Sequence, residues 1–210
     1  MPLPDRRAIV YIDGFNLYYN AIIRTQFKWL NFAKFVKAVR TNDTIVQIKY
    51  FTALVEGRGQ VNQLTFWKAL ETLPSVQIIK GKHKKKQRQC LVRECRHSGD
   101  RTFTSLEEKR TDVSIAIEML DDAYQDRCDI FVLISGDSDL VPVIKKIRDR
   151  FPSKEVTVYV PNRGGDDGHH EIRGAAHRAR DLPLNVLKHA QFPDKVPDGY
   201  GGSIEKPRDW

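Results

Sequence analysis

Two short acidic stretches in this chain follow directly on apolar runs. The first is Ile12-Asp13-Gly14-Phe15-Asn16, at the end of the run Ala8–Ile12. The second is Ser135-Gly136-Asp137-Ser138-Asp139, at the end of Ile130–Ile134. Open α/β sheets bind ligands outside the carboxyl ends of their strands, so a carboxylate at a strand tip sits where chemistry is done. Gly14 permits a sharp turn after Asp13, and Asn16 can reach back to the same place. Ser135 sits beside Asp137 and Asp139 on a strand-to-helix turn, from which both acids can approach one centre. A further acid, Asp112 in Lys109-Arg110-Thr111-Asp112, opens a helix-like stretch. Asp112, Asp137 or Asp139 taken singly could each simply cap a helix. Asp13 is harder to explain that way, because it closes an apolar strand. Four carboxylates drawn together would repel one another, and a bound cation removes that cost. Oxygen ligands with no His or Cys beside them suit Mg²⁺ or Mn²⁺ rather than zinc. Such ions activate water for attack on a phosphodiester.

These residues need a scaffold, and the apolar pattern supplies one. Short β-branched and aromatic runs (Ala8–Ile12, Thr44–Val55, Val76–Ile79, Ile130–Ile134, Val156–Val160) alternate with stretches of helical spacing. That alternation is the mark of βαβ units and a mostly parallel sheet, an α/β fold. The helix faces are predicted to be Phe32, Phe35, Val36 and Val39; Val61, Leu64, Trp67 and Ala69 or Leu70; Val113, Ile117, Leu120 and Tyr124; and Leu140, Val143, Ile144 and Ile147. A short helix is predicted over His170–Arg178, after a Gly- and Asp-rich loop at Arg163–Gly168. One domain over residues 1–190 fits a chain of 210, with 191–210 as an extended or disordered tail rich in Pro and Gly. His169 and His170 read as exposed loop histidines or a helix start. Tyr18, Tyr19, Phe27 and Trp29 suit core packing or a partner surface, and could also stack on bases. Cys128 reads as a small core residue.

The net charge is +8, and it is concentrated. Lys80, Lys82, Lys84, Lys85, Lys86, Arg88, Arg93, Arg96 and Arg101 face only Glu94 and Asp100 between residues 80 and 101, a local excess of seven. A basic insert at about 81–104 suits a polyanion. It lacks an amphipathic helical period, which favours nucleic acid over a membrane surface. Lys82, Lys84, Lys85, Lys86 and Arg88 are the expected backbone contacts, sequence-independent and salt-sensitive. No aromatic residue is interleaved between Lys80 and Arg101, so base stacking there is not indicated. His83, Cys90, Cys95 and His97 could hold a structural Zn²⁺, though ordinary loop residues are the better reading, because the cysteine spacing is wider than a zinc-knuckle pair and His83 is distant. The opening MPLPDRRAIVYIDG does not read as a signal peptide, and no apolar run is long enough to cross a bilayer. With three cysteines, the expectation is a cytoplasmic protein with reduced thiols and no membrane partner.

IDGFN after the first strand, KRTDV at a helix start and SGDSDLVPVI after a later strand resemble, in that order, the motifs of NYN domains, a branch of the PIN-like nucleases. The resemblance covers roughly residues 6 to 160, and LPLNVLKHAQFPD resembles the ending of many bacterial members. It implies a Rossmann-like three-layer sandwich and a Mg²⁺- or Mn²⁺-dependent ribonuclease acting on RNA. By position it implies a metal site of Asp13, Asp112, Asp137 and Asp139, with Asn16 and Ser135 as accessory polar groups. On this reading Asp13 and Asp137 bind metal directly, while Asp112 and Asp139 serve a second ion or act through water. Asn16 is expected to orient a ligand or contact the phosphate. The insert is not required by the family's common core. A competing expectation is a non-catalytic RNA-binding or regulatory protein on the same fold. A phosphatase or nucleotide-binding protein ranks lower, because no P-loop, GxGxxG or DxDxT-like motif is present. Without the resemblance, the residues support a divalent-metal site beside a basic patch, with a nucleic-acid phosphodiester as substrate.

Overall fold

A computed structural model of the chain describes residues 6–57, 59–162, 169–208 and 210. The predicted loop Arg163–Gly168 lies outside them. Six strands form one parallel sheet: β1 (Arg7–Asp13), β2 (Thr44–Thr52), β3 (Val76–Lys80), β6 (Ile130–Ile134), β7 (Glu155–Val160) and β8 (Arg178–Asp181). Their spatial order is β3-β2-β1-β6-β7-β8, so the order reverses between β1 and β6. Ile12 is paired with Ile134 there, and both strands end at the same edge of the sheet.

Strand alternation divides the core in two. Ala8, Val10 and Ile12 face one layer, with Ile130, Val132 and Ile134 beside them. That layer holds the short helix α1 (Gly14–Leu17) and its π-helical continuation Tyr18–Ile22, then α2 (Phe32–Val39) and α3 (Gln60–Glu71). Ile9, Tyr11, Phe131 and Leu133 face the other layer, covered by α4 (Thr111–Tyr124), α5 (Val141–Arg150) and α6 (His170–Ala175). The expected three-layer α/β sandwich is therefore present. The predicted core faces of α2 and α5 are buried, apart from the half-buried Val39.

Two helix faces differ from expectation. In α4, Val113, Ile117 and Tyr124 are exposed, while Ile115, Met119, Asp122 and Ala123 are buried. The buried face carries an aspartate, which breaks its apolar period and hides it from a hydrophobicity pattern. Asp122 is fully buried. It accepts from Lys49 Nζ (2.6 Å), the Tyr11 hydroxyl (2.6 Å) and Arg127 (2.8 Å). In α3, Val61 and Leu64 are exposed, and Phe66, Trp67, Ala69 and Leu70 meet the core. The helix predicted over His170–Arg178 stops at Ala175, and Arg178 begins the edge strand β8, whose Arg-Ala-Arg-Asp sequence carries no strand signal.

The basic insert is an antiparallel hairpin, β4 (Lys82–Gln89) with β5 (Thr102–Lys109). Neither strand shows an apolar alternation, because the hairpin stands off the sheet with β4 almost wholly exposed. The last segment is extended, as β9 (Lys195–Pro197) and β10 (Ser203–Glu205), and it packs on the first layer. Trp29 Nε1 donates to the Pro193 carbonyl (2.8 Å), and Trp210 rests against Trp29 and Phe66. No helix among the described residues is long and apolar enough to cross a membrane.

The Lys49–Asp122 pair yields a stability prediction. Removing one partner of a buried pair strands the other charge, at about 3–5 kcal/mol. Asp122→Ala should lower urea-unfolding stability by that amount. Lys49→Met, Asp122→Leu and Tyr11→Phe together should cost far less than Asp122→Ala, since no buried charge or hydroxyl remains unmatched. Equal losses in the two proteins would refute this account.

Candidate metal centre

The β1–β6 ladder delivers Asp13 and Ser135 side by side. Asp13 is buried, with 4% of its surface exposed. Its Oδ2 accepts from the Ser135 hydroxyl (2.8 Å), and its Oδ1 accepts from the Asn16 backbone N–H (3.0 Å). Asp13 thus does cap α1, contrary to the sequence expectation, and capping leaves each carboxylate oxygen a lone pair for a further partner. Gly14 is required for a different reason from the turn expected of it. A Cβ there would lie 2.6 Å from the Phe51 carbonyl oxygen and 2.6 Å from the Tyr50 ring. Only glycine lets α1 leave the sheet against β2.

The second loop is tied to the first. Asn16 Oδ1 accepts from the Gly136 N–H (2.9 Å), so Asn16 stitches the two loops together. Ser135 Oγ also accepts from the Asp137 N–H (3.1 Å). Asp137 Oδ1 in turn accepts from the Asp139 N–H (2.9 Å), capping the 3-10 turn Ser138–Leu140. His169 is half-buried behind this loop, and its Nδ1–H donates to the Gly136 carbonyl (2.8 Å). A Cβ at Gly136 would strike the His169 ring at 2.6 Å. His170 is exposed and begins α6. The His169 contact crosses from one loop to another, and no local sequence signal announces it.

Asp112 arrives from β5. Arg110 is the N-cap of α4 and takes a left-handed conformation, φ 81°, which costs an L-residue about 1–2 kcal/mol. The chain thereby reverses within one residue, and Asp112 enters the first turn of α4. A left-handed arginine has no sequence signature, so its part in placing Asp112 was not legible.

One carboxylate oxygen each from Asp13, Asp112 and Asp137 lies within 4.8 Å of the others. An octahedral ion with oxygen ligands at about 2.1 Å sets neighbouring oxygens about 3 Å apart, so the three oxygens would draw together around one cation. Asp139 is exposed and is not among the three converging acids, though its charge reaches Asp112. Burial pushes the Asp13 pKa up from 3.8 to about 6. The Asn16 and Ser135 hydrogen bonds oppose that rise, and the Asp112 and Asp137 charges add to it. Burial, then the charges of Asp137 and Asp139, also raise Asp112. A buried acid pressed by two others and without a cationic partner among these influences fits a hard divalent cation.

His83, Cys90, Cys95 and His97, the possible zinc ligands, do not gather into a site. His83 stands at the hairpin base, edge-on to Phe15 with ring centroids 5.4 Å apart. Cys90 follows the end of β4, and a strand advances about 3.3 Å per residue, which separates it from His83 by roughly 20 Å. Among the described residues, the aspartate triad is the metal-competent cluster. Lys82, Lys84, Lys86 and Arg88 share one face of β4 by strand alternation. Phe103, half exposed, is paired across the ladder with Arg88, which places an aromatic ring among cations that look purely charged in sequence. Beside the triad a cavity of about 350 Å³ opens between α1, the π-helical turn and α3, with Phe15, Tyr18, Tyr19, Tyr50, Phe66 and Trp210 in its walls.

Residues 7–182 match the NYN domain family. The chain is 26% identical to 6-hydroxy-3-succinoylpyridine 3-monooxygenase HspA of Pseudomonas putida (strain DSM 28022 / S16), a similarity covering 97% of this chain and 75% of that protein. It is also similar in structure to VPA0982 of Vibrio parahaemolyticus RIMD 2210633, a protein of unknown function. The TM-score there is 0.55 at 19% identity, over 87% of this chain and 96% of the other. This last likeness concerns the fold alone.

The raised Asp13 pKa sets a pH dependence. Between about pH 4 and 6 the folded state keeps a proton that the unfolded chain releases, so metal-free stability falls as pH rises through that window and then levels. A cation competes with that proton. Mn²⁺ should therefore raise Tm clearly at pH 7.5 and little at pH 5. Asp13→Asn, whose amide oxygen can accept from the Asn16 N–H while its NH₂ donates to Ser135 Oγ, should be at least as stable as wild type without metal and lose the Mn²⁺ shift. An undiminished shift in that variant would remove Asp13 from the metal site.

Proposed function

The chain belongs to the NYN domain family, and from that premise we propose that it is a metal-dependent ribonuclease cutting RNA phosphodiester bonds within the strand. The observation that carries the reading is the convergence of Asp13, Asp112 and Asp137 at the point where strand order reverses. A protein that only bound RNA would gain nothing from three clustered acids turned toward a polyanion.

A bound Mg²⁺ or Mn²⁺ would supply Lewis acidity at the phosphate and a water acidified for attack. Asp13, Asp112 and Asp137 would hold it, so Asp112 joins the two acids expected to bind directly. Asp139, exposed at the rim, would act through water. Ser135 and Asn16 are positioning residues. Ser135 fixes the Asp13 carboxylate and the Asp137 backbone, and Asn16 holds the two acid loops at a constant separation. Lys82, Lys84, Lys85, Lys86 and Arg88 would follow the RNA backbone along the hairpin.

A second reading draws on HspA, whose name describes oxygenation of a pyridine, and on the aromatic cavity beside the triad. On that reading the cavity holds a small heteroaromatic substrate. A third keeps the fold and the hairpin for RNA binding without cleavage.

Incubation of the protein with single-stranded and structured RNAs in Mn²⁺, Mg²⁺ or EDTA separates these readings. The expected outcome is internal cleavage that needs the ion. Asp13→Asn should reduce it by more than about 100-fold, and Ser135→Ala by about 10- to 100-fold, the range for groups that orient metal ligands. Retention of RNA without cleavage under every condition would support the binding protein. Dioxygen consumption with a hydroxypyridine and a two-electron donor, without RNA cleavage, would support the oxygenase.

A further inference from the structure

We propose that the cavity between α1, the π-helical turn and α3 receives an unpaired nucleobase of the RNA strand whose phosphate lies at the aspartate triad. The inference rests on the ribonuclease reading and adds a subsite to it.

Position comes first. The cavity wall begins with Gly14 and Phe15, the two residues directly after Asp13. In a nucleotide one sugar separates base from phosphate, so a strand with a phosphate at Asp13 brings a base to the cavity mouth. Tyr50, which lies against Gly14, and Phe66 and Trp210 also line the cavity. Gln63 stiffens the side wall, because its amide is committed to the backbone. Its Oε1 accepts from the Val55 N–H (2.7 Å) and its Nε2 donates to the Ala53 carbonyl (3.0 Å).

Chemistry comes second. Aromatic clusters usually close into core, and folded interiors leave few voids larger than a water. Here about 350 Å³ stays open, and Tyr19 (54% exposed) and Ile23 (37%) stand at its edge in solvent. Tyr19 is set by tilted contact with Phe15 and edge contact with Tyr18. Such rings stack on any base, since every base has a π-face.

Continuity with the cations selects a base carried on a strand over a free small molecule. Lys85 of the hairpin pairs with Glu56 on the cavity rim (3.2 Å), and His83 at the hairpin base meets Phe15. The cationic arm, the cavity and the triad therefore adjoin one another, as a polyanion with unstacked bases requires.

The test uses the bond that the wild-type protein cuts in a single-stranded oligoribonucleotide. Abasic nucleotides replace each position around that bond in turn, for the wild-type protein and for Tyr19→Ala. One flanking abasic position should raise KM about tenfold, the scale of a lost base–aromatic stack. Tyr19→Ala should raise KM similarly on intact RNA, and the abasic penalty should then largely vanish, because the two changes remove one contact. Tyr19 is solvent-exposed, so an unchanged Tm is expected and confirms folding. Equal KM values for intact and abasic RNA, or no effect of Tyr19→Ala, would overturn the base subsite while leaving the ribonuclease intact. If no RNA is cut, equilibrium binding of the same oligonucleotides in EDTA decides. An abasic penalty that depends on Tyr19 would retain the subsite as the ribonuclease reading falls. Its absence, with a free hydroxypyridine bound in a Tyr19-dependent way, would overturn the subsite in favour of a small-molecule cavity.

Discussion

The parallel ladder between β1 and β6 is the constraint on which the rest of the molecule depends. Its last pair is Ile12 with Ile134, at the carboxyl end of both strands. The chain then leaves toward opposite layers, α1 to one side and α5 to the other. A crevice must open where they part, and whatever follows the two isoleucines lines it. Asp13 and Ser135 follow them. The hydrogen bonds from Ser135 to Asp13 and from Gly136 to Asn16 close the crevice floor, so the acid cluster is an extension of the ladder into side chains.

Among the described residues two aspartates are buried, and they are treated in opposite ways. Asp122 meets Lys49, Arg127 and the Tyr11 hydroxyl, a set that satisfies its charge within the protein. Asp13 meets a hydroxyl, a backbone N–H and two more carboxylates. The first arrangement supports the fold. The second sets Asp13 against acids and not against a cation among the described residues, and burial there raises the pKa instead of an ion pair lowering it. A carboxylate perturbed by burial and by neighbouring acids in a cleft is a candidate functional group.

The hairpin and the cavity extend this centre outward in different chemical directions. The hairpin offers cations on an exposed strand, without a core beneath it. The cavity offers aromatic faces and little charge. They touch through Glu56–Lys85 and Phe15–His83, so one surface runs from charge through stacking faces to acids. Trp210 helps build the cavity because the extended final segment packs back on Trp29 and Phe66.

The sequence by itself determined the class of fold, the strands that carry the acids, and the acids themselves. Buried parallel strands are continuous apolar runs, and a polar residue that ends one is visible without coordinates. It also located the charge of the insert. It misread the inner faces of α3 and α4, because the α4 core face contains Asp122, whose partners lie on β1, on β2 and beyond the end of α4. It did not reveal the hairpin, since strands that cover no core need no apolar alternation. Only the tertiary structure decided that Asp112 joins Asp13 and Asp137 while Asp139 stands aside, through the left-handed turn at Arg110. Only it placed His169 behind Gly136 and left a cavity beside Gly14. These are contacts between segments far apart in the chain, set by strand order and register, and local spacing carries no record of them.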